Sequence, residues 1–530
     1  MKNGEENFKE FYIKNLGDSE FSNLFESLKI PLPKTFRISS TSPFKYLIEK
    51  ILNNYTDFVE KINWMDNCYQ ISKVKNSNKY NEFMKFLIYQ TDMGNIYRQE
   101  LVSMIPVLLM DIKPDSRVID LCASPGSKSL QILELLDPCK GLLISNDINR
   151  HRVDILITQT SKLPSLGSLI TFNDAMLFPN IIINDKHLKF DRVLCDVPCS
   201  SDGTIRKQKQ VLDRWSIRTA QGLFKEQYRI LCRGAQLLDE NGILVYSTCS
   251  LNPIENEAVI QKFLLENNRN GNTFELVPSS LKIKTRPGMT YWHPFSDDES
   301  HRPCGKNLGL EKCIRIYPQD QNTGGFFIAV LQKIKKTDSR KEQKIKGKDV
   351  SLDTKIRQYG KESPFYNVYI KKEIEDYYKC ILPGRLITQS EGLTSISIIN
   401  EMVYDILLNA KESLQVISAG FKGLVLNNFH KSHDGSYRIK SALFKYLKEY
   451  QRVIDISIKD FERLLENEFV GYNELEIRSD ILGGVIITCG IFIFSGWSTK
   501  AKLGLFINKR NRIAIKQLLV IYKKEEYNTN

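Results

Sequence analysis

The 530-residue sequence contains no Cys-x-x-Cys pair, and its eleven cysteines are odd in number and scattered. A paired-cysteine zinc ribbon is thereby excluded, and a disulfide framework does not fit. His301, Cys304 and Cys313 come nearest to a zinc spacing but lack a second close pair, so no metal is expected. The cysteines read as reduced thiols in a cytosolic or nuclear compartment. No apolar run approaches the roughly 20 residues of a membrane helix. The longest near the end covers 485–494 and reads as one buried strand, with no membrane partner expected. Residues 1–10 are charged rather than apolar, so no signal peptide is expected. There is no internal repeat.

Positive charge is in excess. A net charge of +13 favours a polyanionic partner such as nucleic acid. The chain is too long for one core, and its ordinary composition, 42% hydrophobic and 26% charged, predicts that most of it folds into several domains. Residues 1–98 read as a small mixed α+β module, opened by amphipathic helices over 6–28, with a strand beginning after Pro33 and a helix over 44–52. Over 99–334 strands and helices alternate, as in a mostly parallel α/β sheet. Its strands are expected at 118–121, 141–145, 169–172, 192–195 and 243–246, with one long helix over 211–238 leading into the last. Short strands at 274–277, 314–317 and 326–331 finish the sheet, and 282–312 is a long insertion. A lysine-rich linker over 335–360 is a candidate nuclear address, placing the protein in the nucleus or nucleolus, with the cytoplasm as the alternative. Residues 361–530 form a second α+β region, β-rich at its end and closing on a strand over 503–507.

Four strand ends carry acids: Asp120, Asp147, Asp174 and Asp196. In a doubly wound sheet such ends line one crevice. Asp147 lies about 20 residues past Gly126, the spacing at which an acid meets ribose hydroxyls. Yet no Gly-x-Gly-x-x-Gly follows the first strand, so no pyrophosphate is cradled. An adenosine bearing a small non-phosphate group fits better, and S-adenosyl-L-methionine is such a molecule. Its amino-acid end is expected on the loop Cys122, Ala123, Ser124, Pro125, Gly126 and Ser127, its ribose on Asp147 and its adenine near Asp174. The strand end that carries Asp196 also delivers Cys199, and a fifth strand end delivers Cys249, to the same edge. A lone free cysteine is usually a small buried hydrophobe; a pair at a ligand crevice points to covalent activation of a methyl acceptor. Carbon 5 of cytosine is such an acceptor, since a thiolate added at carbon 6 makes carbon 5 nucleophilic. Asp196 suits the charge that builds on ring nitrogen 3, and Lys128, opening a helix beside the crevice, suits a role in lowering a thiol pKa or orienting the base.

The segments Asp120 to Lys128, Asn146-Asp147, Asn173-Asp174-Ala175, Asp196-Val197-Pro198-Cys199-Ser200 and Tyr246-Ser247-Thr248-Cys249-Ser250 resemble, in order and spacing, the motifs of the Nop/Sun-domain RNA (cytosine-5) methyltransferases. Residues 31–38 and 94–105 are most similar to the eukaryotic multisite tRNA enzymes of that family. The resemblance implies a Rossmann-like class I methyltransferase sheet, a tRNA substrate (rRNA or mRNA as alternatives), Cys249 as nucleophile and Cys199 in product release. It implies that Asp147, Asp174 and Asp196 hold the cofactor and the base, and that the β-rich end is a PUA-like RNA-binding domain. Three residues depart from the family pattern: Ser124 for alanine, Ser201 for a glycine, which is expected to leave the Cys199 loop less free to turn, and Ser39 for asparagine. Two rivals stand beside this reading. Pro198-Cys199 is also the pair that DNA cytosine methyltransferases use as nucleophile, and an inactive RNA-holding scaffold would keep the fold without the chemistry.

Overall fold

The computed structural model describes residues 3–72, 77–269, 273–295, 297–334, 365–389, 393–409, 414–426 and 437–529. The expected lysine-rich linker at 335–360 lies outside the described residues. A ten-stranded sheet organises the molecule. Its strands in chain order are β1 (Arg117–Asp120), β2 (Leu142–Asn146), β3 (Ser168–Thr171), β4 (Phe190–Asp196), β5 (Leu238–Thr248), β6 (Phe274–Leu276), β7 (Arg286–Pro287), β8 (Ile314–Ile316), β9 (Phe326–Lys333) and β10 (Val416–Ala419). The spatial order is β7-β8-β9-β5-β4-β1-β2-β3-β10, with β6 also paired to β9. From β3 to β5 every pairing is parallel, and β9 closes antiparallel on β5.

The short apolar runs make these strands because both faces of the sheet are covered. Ile119, Ile144, Val193 and Leu244 face one core with the helices Ile217–Leu237 and Glu257–Asn267. Their chain neighbours Val118, Leu143, Leu194 and Val245 face a second core with the helices Leu101–Leu108 and Ser127–Leu135. The period-2 alternation therefore separates two apolar cores, which is why the strands read as continuous hydrophobic runs.

Several expectations change. The single helix over 211–238 is two: Gln210–Asp213, then Ile217–Leu237, capped by the Ser216 hydroxyl, with Trp215 buried at the break. The fifth strand starts at Leu238, before the apolar run, and passes a register shift opposite Phe190 and Arg192. The run 485–494 is not one strand but a hairpin, Gly483–Cys489 and Phe492–Ser498, turning at Gly490 and Ile491. The chain goes on from the expected last strand into a helix, Lys509–Thr529, whose Ala514, Ile515, Leu518 and Leu519 are buried. The insertion at 282–312 is tied down by β7 and by Trp292, which is buried and donates to the His301 carbonyl at 2.8 Å.

The N-terminal sheet pairs Val59–Lys61, Cys68–Ile71, Lys34–Ile38 and Ile96–Arg98 in that order. It shares a core with the chain's far end, where Phe44 stacks on Phe492 at 5.3 Å. The first two helices, Gly4–Leu16 and Asp18–Lys29, pack instead on Ile205, Trp215, Leu251 and Tyr317 beside the main sheet. The strand β10, from beyond residue 400, extends the main sheet next to β3. Among the described residues no helix is long and apolar enough to cross a membrane.

Candidate active site

The strand order switches between β1 and β4, with β2 and β3 on one side and β5 on the other. Open α/β sheets bind ligands at the carboxyl ends of such neighbouring strands. The loop after β1 folds over this point. The Ala123 N–H donates to the Asn146 carbonyl at 2.8 Å, and the Ser124 N–H donates to Asp147 Oδ2 at 3.2 Å. Gly126 closes the loop with φ at +107°, and a Cβ there would sit 2.9 Å from Leu156 Cδ1, so the turn onto the helix Ser127–Leu135 needs glycine. Asn146 ties three strand ends together, donating to the carbonyls of Leu121 and Asn173 at 3.1 and 2.9 Å.

Asp147 is buried, and its second oxygen accepts from the Asn149 N–H at 2.9 Å. Asp174 is half-buried and accepts from the Met176 N–H at 2.8 Å. Asp120 is buried at the foot of the crevice and accepts from the Ser129 hydroxyl at 2.8 Å. Burial pushes its carboxyl from 3.8 up to about 7, against the Ser129 hydrogen bond, which works the other way. The same region contains two hydroxyls, Ser124 Oγ and Ser145 Oγ, that are buried without a protein partner; Ser145 pairs with Asp120 in the sheet register. Orphaned hydroxyls beside carboxylates and loop amides suit a ligand that is cationic at one end and rich in hydroxyls and ring nitrogens at the other. The residues present therefore fit S-adenosyl-L-methionine.

On the β4–β5 side, Lys128 donates to Asp196 Oδ2 at 2.6 Å, and the Ser247 hydroxyl donates to Oδ1 at 2.7 Å. Burial works to lower the Lys128 pKa, but Asp196 outweighs it, so the ammonium is held above its ordinary value and stays charged. Cys199 and Cys249 face each other with Sγ to Sγ at 3.3 Å. Their mutual hydrogen bond, with burial second, drives the Cys199 thiol well above its ordinary range, so Cys199 keeps its proton. Ser201 Oγ lies 3.5 Å from Cys249 Sγ. The structure thus brings Lys128, Asp196, Cys199 and Cys249 to adjacent strand ends, and puts Cys122 to Ser127, Asp147 and Asp174 around the neighbouring half of the crevice.

The 16S rRNA methyltransferase RsmB/F family matches residues 107–332. A tRNA (cytosine(34)-C(5))-methyltransferase of Drosophila melanogaster is 31% identical, over 78% of this chain and 69% of its own length. The chain belongs to the Nop/Sun-domain RNA (cytosine-5) methyltransferase family. A multisite-specific tRNA:(cytosine-C(5))-methyltransferase of Saccharomyces cerevisiae is 29% identical, over 89% of this chain and 80% of its own. A tRNA (cytosine(49)-C(5))-methyltransferase of Pyrococcus abyssi is 34% identical, over 46% of this chain and 73% of its own.

The departures from the family pattern have physical outcomes. Ser201 takes φ +62°, the left-handed conformation a glycine would adopt, so the Cys199 loop turns as sharply as with glycine and carries the strain. Ser39 is buried and donates to Glu134 Oε1 at 2.6 Å, beside the Arg37–Glu134 ion pair; it joins the N-terminal sheet to the methyltransferase helix rather than facing outward.

Several residues of the site escaped sequence reasoning. Asp202 is fully buried and accepts from Tyr12 Oη at 2.5 Å, from Trp215 Nε1 at 3.1 Å and from the Leu251 N–H at 2.7 Å, so the first helix of the chain is bolted to the cysteine loops. Gly203, on the Cys199 loop, is pressed between the Cys249 loop and the turn into β9, where a Cβ would meet Cys249 O at 2.7 Å and Gly325 O at 2.5 Å. Glu255 and Glu257 follow Pro253, and both are fully buried.

Proposed function

We propose that this protein methylates carbon 5 of cytosine in tRNA, with Cys249 as nucleophile, Cys199 acting at release and S-adenosyl-L-methionine as donor. The observation that carries the reading is the pair of sulfurs at 3.3 Å beside the Lys128–Asp196 pair at 2.6 Å. The loop from Cys122 to Ser127, with Asp147 and Asp174, would hold S-adenosyl-L-methionine, which supplies the methyl group when bound. Cys249 adds its sulfur to carbon 6, and the displaced ring electrons become available at carbon 5. Asp196, oriented by Lys128 and Ser247, stands at the side of the ring where charge builds on nitrogen 3, with the Lys128 ammonium beside it as the balancing positive charge. Once carbon 5 is methylated, its proton goes to a base, the sulfur–carbon 6 bond breaks, and its electron pair returns to Cys249. Cys199, within contact distance of that sulfur and holding its own proton, gives that proton to the Cys249 thiolate as the bond breaks. The excess of positive charge and the tRNA enzymes among the relatives support tRNA as the substrate.

Methyl incorporation from labelled cofactor into total tRNA, located by bisulfite sequencing, tests the reading. Cofactor binding with no incorporation would favour an RNA-holding scaffold. The Pro198-Cys199 sequence favours a second reading, with Cys199 as nucleophile. Trapping on 5-azacytidine RNA decides between them: an adduct formed by Cys249→Ala and not by Cys199→Ala would overturn the first.

A further inference from the structure

The two sulfurs stand at the ends of separate loops that leave neighbouring strands, β4 and β5. Beyond the last ladder bond the two loops are tied directly, by the Gly203 N–H on the Cys249 carbonyl at 2.9 Å and by the Ser200 and Ser250 hydroxyls at 3.2 Å, and the sulfurs meet at 3.3 Å. One buried carboxylate reaches the residue after each cysteine. Glu255 is fully buried. Its Oε1 accepts from the Ser200 N–H at 2.8 Å and from Gln227 Nε2 at 3.0 Å. Its Oε2 accepts from the Ser200 hydroxyl at 2.5 Å and from the Ser250 hydroxyl at 2.7 Å. Ser200 directly follows Cys199, and Ser250 directly follows Cys249. Gln227 also donates to the Pro198 carbonyl at 2.9 Å, which extends the same clamp to the other side of Cys199. A carboxylate buried this deeply is tolerated only because four donors meet it.

We propose that Glu255 is a positioning residue that sets the distance between the two cysteines and acts at product release rather than at thiolate addition. The proposal rests on the two-cysteine reading above. Addition needs Cys249 and Asp196, which have anchors of their own. Ser247 holds Asp196, while the Asn256 side chain accepts from Thr248 Oγ1 at 2.6 Å and donates to the Ser250 carbonyl at 2.9 Å. Release needs the Cys199 loop in reach of the same sulfur, and Glu255 joins that loop to the Cys249 loop from below.

The test uses the full-length protein and two readouts. Diamide oxidises the Cys199–Cys249 thiol pair to a disulfide, itself being reduced to the hydrazine by the two electrons and two protons removed, and the rate of this reaction reports how often the sulfurs meet. Denaturing gels of protein incubated with tRNA and cofactor report the unreleased covalent adduct. Glu255→Gln is expected to slow disulfide formation about tenfold, the weight of one hydrogen bond to a buried charge, and to accumulate adduct while the first methyl transfer proceeds. Ser200→Ala, which keeps the carboxylate, should shift both readouts the same way, and it carries the test if Glu255→Gln does not fold. Cys199→Ala is the control. If Cys199→Ala traps tRNA while both variants oxidise and release at the wild-type rate, the clamp is refuted and the two-cysteine reading stands. If Cys199→Ala traps nothing, that reading fails and takes this proposal with it.

Discussion

Replacing Glu257 by glutamine removes one half of the most deeply buried ion pair in the site. Arg315 and Glu257 have side-chain exposures of 1% and 0%, and they meet through two parallel bonds, Nε to Oε1 at 2.6 Å and Nη2 to Oε2 at 2.5 Å. Burial works to lower the Arg315 pKa, but Glu257 outweighs it, so the guanidinium stays charged. In Glu257→Gln it keeps the Leu251 carbonyl at 2.8 Å and the Tyr317 oxygen at 3.1 Å but loses its counter-charge. Leaving one member of a buried pair uncompensated costs about 3–5 kcal/mol. Against a total stability of about 5–15 kcal/mol, that is a large fraction. With a urea slope of about 3 kcal/mol per molar, the midpoint should fall by about 1–1.7 M. Unfolding followed by tryptophan fluorescence measures it, since Trp215 and Trp292 are both buried beside this sheet. The double variant Glu257→Met with Arg315→Met should recover much of the loss, because it removes both charges from the apolar site. A single substitution costing under about 1 kcal/mol, or a double variant no better than the single, would refute the reasoning.

The buried Asp120 carboxyl, pushed up to about 7, favours its neutral form in the fold. Its contribution to stability is complete below its unfolded pKa of about 4 and is lost as pH rises through 7. Asp120→Asn should therefore flatten the fall in unfolding midpoint between those limits, and a variant with the wild-type slope would count against a buried, neutral Asp120. Ser201→Gly should raise thermal stability by roughly 1 kcal/mol, since glycine adopts φ near +62° without the Cβ cost, whereas Ser201→Val should lower it. Circular-dichroism melts compare the two, and equal midpoints would show that the loop carries no strain.

The central sheet was readable because each strand is a short apolar run buried on both faces, as the alternation of Val118 and Ile119 between two cores shows. The hairpin at Gly483–Ser498 was not, because its turn at Gly490 and Ile491 is as short and apolar as the strands it joins. The last helix did leave a signal, the spacing of Ala514, Ile515, Leu518 and Leu519, which an expected strand ending obscured. No local pattern says that Val416–Ala419 joins the edge at β3, since edge pairing depends on what else reaches that edge. In the site, the two cysteines were readable from their place just past strand ends. Asp202, Glu255 and Glu257 were not, because a carboxylate in sequence reads as a surface residue until its donors are known, and these donors come from as far away as Tyr12 and Arg315.

The two-cysteine chemistry itself is tested most directly by the covalent state of the protein after incubation with tRNA and cofactor, read on a denaturing gel. Cys199→Ala should add to cytosine and methylate it but fail to let go, and so run as an RNA adduct. Cys249→Ala should form no adduct and no methylated product, and the double substitution should match Cys249→Ala, because release cannot matter where addition never occurs. A Cys199→Ala protein that turns over at the wild-type rate and leaves no trapped RNA would contradict the account.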